Sequence, residues 1–362
     1  MSSKRFTPEQ LSKLAISSSG IKEYYKCDLA YYMYALKEPV YIRKKSQDLG
    51  SVVDCMLTTP TEFREKYAVI DSKVPSGKGG IFLEYILATL FNEEGTLLWT
   101  LEDLDAGFEG NKGEIFKKAM AVAEYSLKEE AVWNSFQKTG YNHVKFIILN
   151  GKKIIIDATT KAIAESMKTA ALKHPICGSW FCRDTEQELV DDEVNEVLIE
   201  DALGTYKPAV FLYQEHFTAK IKELTNTLQS ELPIHCYPDI VNVQEPLNPA
   251  DPIIITNISL KTSKSMFLED AKDIINDYKY YIQQLHERKC ILNDSRFKGK
   301  FVEYKHVFVF ISSVAPHYIS VVEYNPTRHI DEYEEMLIKL IQSYTLNEWN
   351  LDTNQVTEIH DI

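Results

Sequence analysis

Up to about residue 205, apolar positions recur at the three- and four-residue spacing of amphipathic helices; from residue 207 they gather into the short β-branched runs of strands. Residues 7–36 predict a helical region, in which "SSSGIKEYYKCDLAYYMYAL" offers serine caps and then an aromatic-rich amphipathic run. "DLGSVVDCMLTTP" (48–60) predicts a helix entered at Gly50 and stopped at Pro60. Residues 71–150 predict helices and loops, with glycine-rich joints at "SGKGG" and "FEGNKG". "DATTKAIAESMKTAALKHPIC" (157–177) predicts a helix capped by Asp157 or Thr159 and followed by Pro175. The acidic stretch "DTEQELVDDEVNEVLIED" predicts a solvated connection.

Three strands are then expected, at 209–221, 232–243 and 253–262, with Asn248, Pro249 and Pro252 turning the chain between the last two. A helix is expected over 266–289, where "FLEDAKDIINDYKYYIQQLHE" carries apolar positions at helical spacing. "HVFVFISSV" and "HYISVVEYN" predict a hairpin around Ala315-Pro316, and "HIDEYEEMLIKLIQSYTL" a closing helix. No internal repeat or low-complexity tract interrupts this order. The fold class expected is α/β: a mixed sheet flanked by helices, preceded by a large, mostly helical part.

Composition narrows the function classes. The 362 residues carry a net charge of −13, which argues against a broadly basic nucleic-acid coat but allows a local channel that grips DNA. Basic residues gather at "IRKKS" (42–46), "KTSKS" (261–265) and "RFKGK" (296–300); each run taken alone reads as solvated surface. The six cysteines include no C-x-x-C pair, so reduced cysteines are expected and an iron–sulfur cluster is not. No apolar run approaches the ~20 residues that span a bilayer, and "MSSKRFTPEQ" lacks a signal-peptide core, so a cytoplasmic protein without membrane contact is expected. One large domain over 1–362 accommodates the length: a helical part over 1–205 that includes the Gly50–Asp54 helix, a sheet-containing core over 206–350 and a tail over 351–362.

One pair of residues stands out chemically. Lys261 puts an ammonium at the end of the apolar strand "IIITNISLKTS", and Asp239 follows Pro238 inside the preceding strand region. Neighbouring strands can bring the two to one end of a sheet. A hard divalent cation takes oxygens from Asp, Glu and backbone carbonyls, and a lysine beside it can act on the attacking water of a phosphodiester hydrolysis. By spacing alone, a plain salt bridge is the favoured reading of these two residues. Asp54, among Val52, Val53, Cys55 and Met56, is a further acid in apolar company; local capping or an exposed helix edge is its plain reading.

The order of motifs resembles the PD-(D/E)xK nuclease superfamily and, within it, the phage-type exonucleases related to exodeoxyribonuclease VIII. "SSSGIKEYYKC" resembles the opening serine-rich helix, "LGSVVDCMLTTP" the Gly-x-x-x-His helix, and "YPDIV" the first acidic motif. "ISLKTS" is similar to the Asp-x-Lys-Thr strand, "YYIQQ" to the Tyr-x-x-Gln helix, and "FVFISSVAPHYISVVEYN" to the final hairpin. The resemblance is thin over 71–150 but runs in order from end to end.

The resemblance implies a restriction-endonuclease-like core and Mg2+ or Mn2+ as cofactor. It makes Asp239 a metal ligand, Lys261 the catalytic lysine, the carbonyl of Leu260 a further oxygen ligand, and Gln283 a residue that fixes DNA or Lys261. Glu215 is a weaker match to an acid near the metal, and Thr262 and Lys264 are candidate DNA contacts. It also implies double-stranded DNA ends as substrate, a ring-shaped homo-oligomer, a single-strand annealing recombinase as partner, and work in phage or prophage recombination inside a bacterial cell.

Three positions depart from the pattern: the helix histidine is Asp54, the acid of Asp-x-Lys is Ser259, and the tyrosine four residues after the glutamine is Glu287. Either Asp54 supplies from the helix the carboxylate that Ser259 lacks, or the site binds DNA or a partner without cutting.

Overall fold

In a computed structural model of the chain, the described residues are 7, 16–26, 45–71, 75–92, 96–151, 153–182, 206–222, 231–264, 269–347 and 349. The expected tail, the acidic connection beyond 182 and residues 27–44, with Cys27, lie outside them. The chain divides into two compact units, Met1–Pro60 with Glu165–Ile362, and Thr61–Ala164.

The first unit begins with helices α1 (Ser18–Lys26) and α2 (Lys45–Thr58). Ser17 caps α1, its Oγ accepting the Gly20 amide at 3.1 Å. The second unit holds α3 (Phe63–Lys66), β1 (Tyr67–Ile70), α4 (Lys78–Ala88), α5 (Leu101–Ala106), α6 (Gly113–Val122), α7 (Glu129–Thr139), α8 (Tyr141–Leu149) and β2 (Ile154–Asp157). The predicted helices over 71–150 are present; the parallel pair β1–β2, in register Tyr67↔Ile154, was not expected because each strand is four residues long. The core of this unit is aromatic. Phe116 is fully buried, with the rings of Phe82, Trp99, Phe108, Trp133 and Phe136 at centroid distances of 5.4–6.1 Å. Phe116→Ala is therefore expected to cost about 3–5 kcal/mol of stability, read as a lower urea midpoint; an unchanged midpoint would contradict this packing.

Helix α9 (Ala158–Leu172) follows β2, and Asp157 caps it by accepting the Thr160 amide at 2.7 Å, as its sequence predicts. The first unit then continues with β3 (Val210–Tyr213), β4 (Phe217–Lys222), β5 (Glu231–Cys236), β6 (Ile240–Gln244), β7 (Ile253–Ser263), α10 (Glu269–Asp277), α11 (Tyr280–Asn293), β8 (Val302–Ser312), β9 (Ile319–Glu323) and α12 (Ile330–Leu346). Five of these strands form one mixed sheet in the order β3-β6-β7-β8-β9, in which only the β7–β8 pairing is parallel. A parallel neighbour needs a crossover, and α10 with α11 supplies it. Strands β4 and β5 pair separately as an antiparallel ribbon.

Three predicted elements are each broken in two. The strand expected over 209–221 divides at Gln214, whose φ of +48° takes the chain out of extended conformation. The strand expected over 232–243 divides at Tyr237-Pro238-Asp239, where Pro238 has no amide to give a ladder. The helix expected over 266–289 divides at Lys279, left-handed at φ +51°. The hairpin of β8 and β9 stands as predicted.

Alternation along β7 puts Ile255, Asn257, Ser259 and Lys261 on one face, and parallel register places His306, Phe308 and Phe310 of β8 beside the last three. Helices α10 and α11 contribute to the apolar clusters of this face. Ile255 shares one with Ile282, Leu285 and Leu337; Phe308 and Phe310 share another with Ala271 and Ile275. The five described cysteines are free. Among the described residues no helix is long and apolar enough to cross a membrane.

Candidate active site

The β6–β7 hairpin has register Ile240↔Ile258, so pairing ends where β6 begins. Asp239, one residue earlier, falls on the same face as Ser259 and Lys261. Beyond the end of the ladder, the amide of Leu260 donates to Asp239 Oδ2 at 2.7 Å. Lys261 Nζ stands 3.7 Å from the same oxygen, and both side chains are only about one-seventh exposed, at 14% and 16%. The strand break at Pro238 is thus what leaves a carboxylate free to bend over the neighbouring strand.

Tyr280, Gln283, Gln284 and Glu287 share one stripe of α11, at the i, i+3, i+4, i+7 spacing of a helix face. This stripe meets the polar residues of β7. Glu287 is 2% exposed, and both its oxygens are bonded: Asn257 Nδ2 donates to Oε2 at 2.7 Å and Gln283 Nε2 to Oε1 at 2.8 Å. Gln284 Nε2 donates to Ser259 Oγ at 2.7 Å, while its Oε1 accepts from Asn257 at 3.3 Å and from His306 Nδ1. Burial drives His306 down to about 3, with Arg288 adding to the effect, so the ring is neutral. Buried polar groups are stable only when bonded in this way. The seam accounts for Ser259: its hydroxyl has no exposure and is committed to Gln284, inside the core.

The charges are unevenly tuned. Burial opposes the ammonium of Lys261, yet Asp239 first, then Tyr280, Glu287 and Asp54, outweigh it and hold the lysine above its ordinary range. Lys261 is therefore a fixed cation rather than a resting base. Burial pushes the Glu287 carboxyl up to about 7, with the charge of Asp239 adding to the rise and its hydrogen bonds and Lys261 opposing it. Lys22 of α1 is drawn the other way, down to about 7, by burial and by repulsion from Lys261, which Glu287 offsets in part. The ammonium groups of Lys22 and Lys261 lie over the same ring, Tyr280, at 4.8 and 5.1 Å from its centroid.

The other residues singled out in the sequence take varied places. Asp54 Oδ2 accepts from Gln214 Nε2 at 3.0 Å, and the Gln214 amide donates to the Asp239 carbonyl at 3.1 Å, so one residue ties both acids' surroundings together. Gly50 explains the close approach of α2 to β7: a Cβ there would stand 3.1 Å from Thr262 Oγ1. Leu260 offers its amide to Asp239, and its main chain pairs with Val309. Gln283 is bonded to Glu287. Glu215, between β3 and β4, is held by Arg296 at 3.1 Å and is half-exposed. Thr262 is half-buried and Lys264 exposed just past the end of β7.

Sequence reasoning assigned no role to Lys22, Gln214 and Gln284 and saw Glu287 only as a departure. Lys22 stood inside "SSSGIKEYYKC", where the serines and tyrosines drew the reading. The helical spacing from Tyr280 to Glu287 was the one available sign of the polar stripe.

As a metal centre the donor set is sparse. Among the described residues no three or more His, Cys, Asp or Glu side chains converge to hold an ion. A closed site for a structural cation does not fit. A magnesium-like ion that keeps its waters and takes phosphate oxygens from substrate needs only one or two carboxylates; Asp239 offers one, and Asp54 is linked to its surroundings through Gln214.

No protein-family model matches the chain, and no curated protein matches it in sequence. A solved structure described as a "Putative exonuclease" from Eubacterium rectale is similar at 10% identity and a TM-score of 0.38, covering 99% of this chain and 95% of its own. At that distance the likeness assigns no role to any residue.

Proposed function

We propose that this protein is a metal-dependent deoxyribonuclease with a restriction-endonuclease-like core, acting as an exonuclease on duplex ends. The observation that carries the reading is the placement of Asp239 and Lys261: a carboxylate and an ammonium from neighbouring strands, 3.7 Å apart and mostly buried at one end of a mixed sheet. Asp239, with Asp54 as second carboxylate, would hold a magnesium or manganese ion. When bound, such an ion polarises a phosphoryl oxygen and acidifies its water. The Leu260 amide orients the Asp239 carboxylate. Lys261, kept charged by Asp239, steadies the attacking water and the charge that grows on the phosphoryl oxygens. Gln283 acts through Glu287, whose carboxylate faces the charge of Lys261. Thr262 and Lys264 are candidate strand contacts. Expected company for such an enzyme is further copies of itself in a ring-shaped homo-oligomer and a single-strand annealing recombinase, in a phage-infected or prophage-bearing cell. End-labelled duplex DNA, incubated with a series of divalent cations, tests the reading directly; release of labelled nucleotides with Mg2+ or Mn2+ and not with chelator is the expected result.

A second reading rests on Ser259. Its hydroxyl is buried and committed to Gln284, so the strand lends the site no acid, which favours a protein that holds DNA without cutting it. Ser259→Asp separates the two. With an active parent, the added carboxylate is expected to tighten Mn2+ binding about tenfold or more in calorimetry. If the parent fails to cut with any metal and Ser259→Asp gains activity, the second reading is the right one.

A further inference from the structure

Lys22 and Lys261 stand over one tyrosine ring, 4.8 and 5.1 Å from the centroid of Tyr280. The ring of Tyr278 stacks on Tyr280 at 5.7 Å and 15°, and is itself 51% exposed. Beside it Lys279, whose left-handed conformation separates α10 from α11, lies over the ring of Tyr25 at 3.5 Å. Aromatic rings interleaved with ammonium groups are the chemistry that holds single-stranded nucleic acid: cations take the phosphates, and a ring face takes a base. Packing alone does not account for the arrangement. Burial first, and repulsion from the like charge of Lys261 second, make Lys22 lose its proton far more readily than an ordinary lysine. An anion placed beside the two ammonium groups relieves that repulsion.

We propose that Lys22, Tyr278 and Tyr280 form, beside Lys261, a subsite for one unpaired nucleotide, its phosphate held by Lys22 together with Lys261 and its base stacked on Tyr278. The subsite rests on the reading of Asp239 and Lys261 as a phosphodiester centre and adds to it that the strand is single where it meets the protein. A duplex end would have to open by at least one base pair to fill it.

The test is fluorescence anisotropy of a labelled single-stranded DNA oligonucleotide with the full chain in chelator, across a salt series, alongside a strand of equal length with abasic positions. Lys22→Met is expected to weaken binding about tenfold, the equivalent of about 1.4 kcal/mol, and to reduce the salt slope by about 0.7. Lys22→Arg should restore most of both. Tyr278→Ala is expected to weaken binding of the normal strand about fivefold or more and of the abasic strand hardly at all, with Tyr278→Phe close to the parent. Unaltered binding by Lys22→Met and Tyr278→Ala, in a parent that binds and cuts DNA, overturns the subsite and leaves the nuclease reading standing. Equal losses by Tyr278→Ala on normal and abasic strands overturn the stacking role. A parent that neither binds nor cuts DNA removes both readings together.

Discussion

Asp239→Asn is expected to lower the rate of DNA cutting by about a thousandfold while leaving the fold intact. The choice of Asn matters. Asp239 Oδ2 accepts the Leu260 amide at 2.7 Å, and an Asn carbonyl oxygen can still accept it. Removing the whole carboxylate in Asp239→Ala would leave that amide and the Lys261 ammonium without their partner, so lost activity could then reflect lost structure. Asn removes the charge and little else. Lys261 loses the first of the charges that hold it protonated, and any cation at the site loses its principal ligand. Lys261→Ala is expected to be comparably slow but to retain Mn2+ binding, because a lysine does not ligate the ion. Rates on end-labelled duplex with Mn2+ calorimetry on the same samples distinguish the two roles. Asp239→Asn cutting as fast as the parent would dispose of the assigned centre.

Lys22→Met is expected to make the protein more stable. An ammonium whose folded-state value falls from 10.5 to about 7 opposes folding while it remains charged. Each unit is worth about 1.4 kcal/mol, and solvent relaxation reduces the sum, leaving a gain on the order of 2–4 kcal/mol for a methionine that keeps the length of the side chain. The cation–π contact with Tyr280 that is lost is worth about 0.5–2 kcal/mol, which is smaller. The sign of the pH dependence follows from the lowered value. Below about pH 7 both folded and unfolded parent carry the charge and the full penalty applies. As pH rises from there towards 10.5, the folded parent sheds its proton first and regains stability. The advantage of Lys22→Met is therefore largest at pH 7 and below, and shrinks as pH approaches 10. Thermal unfolding of both proteins over pH 6–10 reads this. A variant less stable than the parent at every pH would mean that Lys22 is a packing residue. A variant that gains stability and loses affinity for single-stranded DNA is the behaviour of a residue kept for binding rather than for folding.

Much of this protein is legible in local sequence pattern. The β-branched run from Ile253 to Leu260 reads as a buried strand, and the strand region before it carries Asp239 just after Pro238, where the structure breaks it. Asn248, Pro249 and Pro252 mark a turn between those strands, so the sequence allows a carboxylate and an ammonium to meet at one sheet end. The helix of Gly50 and Asp54, the Asp157 cap and the β8–β9 hairpin were equally local, each set by residues within a few positions of one another.

Tertiary structure decided the rest. Gln214 and Lys279 adopt positive φ without being glycine, which no nearby residue demands, so the breaks at those points come from the packing of the pieces on either side. Ser259 looked like an absence in the sequence; the structure gives it Gln284, 25 residues away. Glu287 looked like a lost tyrosine and proves to be the buried carboxylate bonded to Asn257, 30 residues before it. Lys22 reaches Tyr280 and the field of Lys261 across more than two hundred residues of chain. Periodicity reports which face of an element is apolar, because that depends on the element alone. Which polar stripe meets which, and what charge each group then carries, depends on distances between elements, and the fold alone sets those.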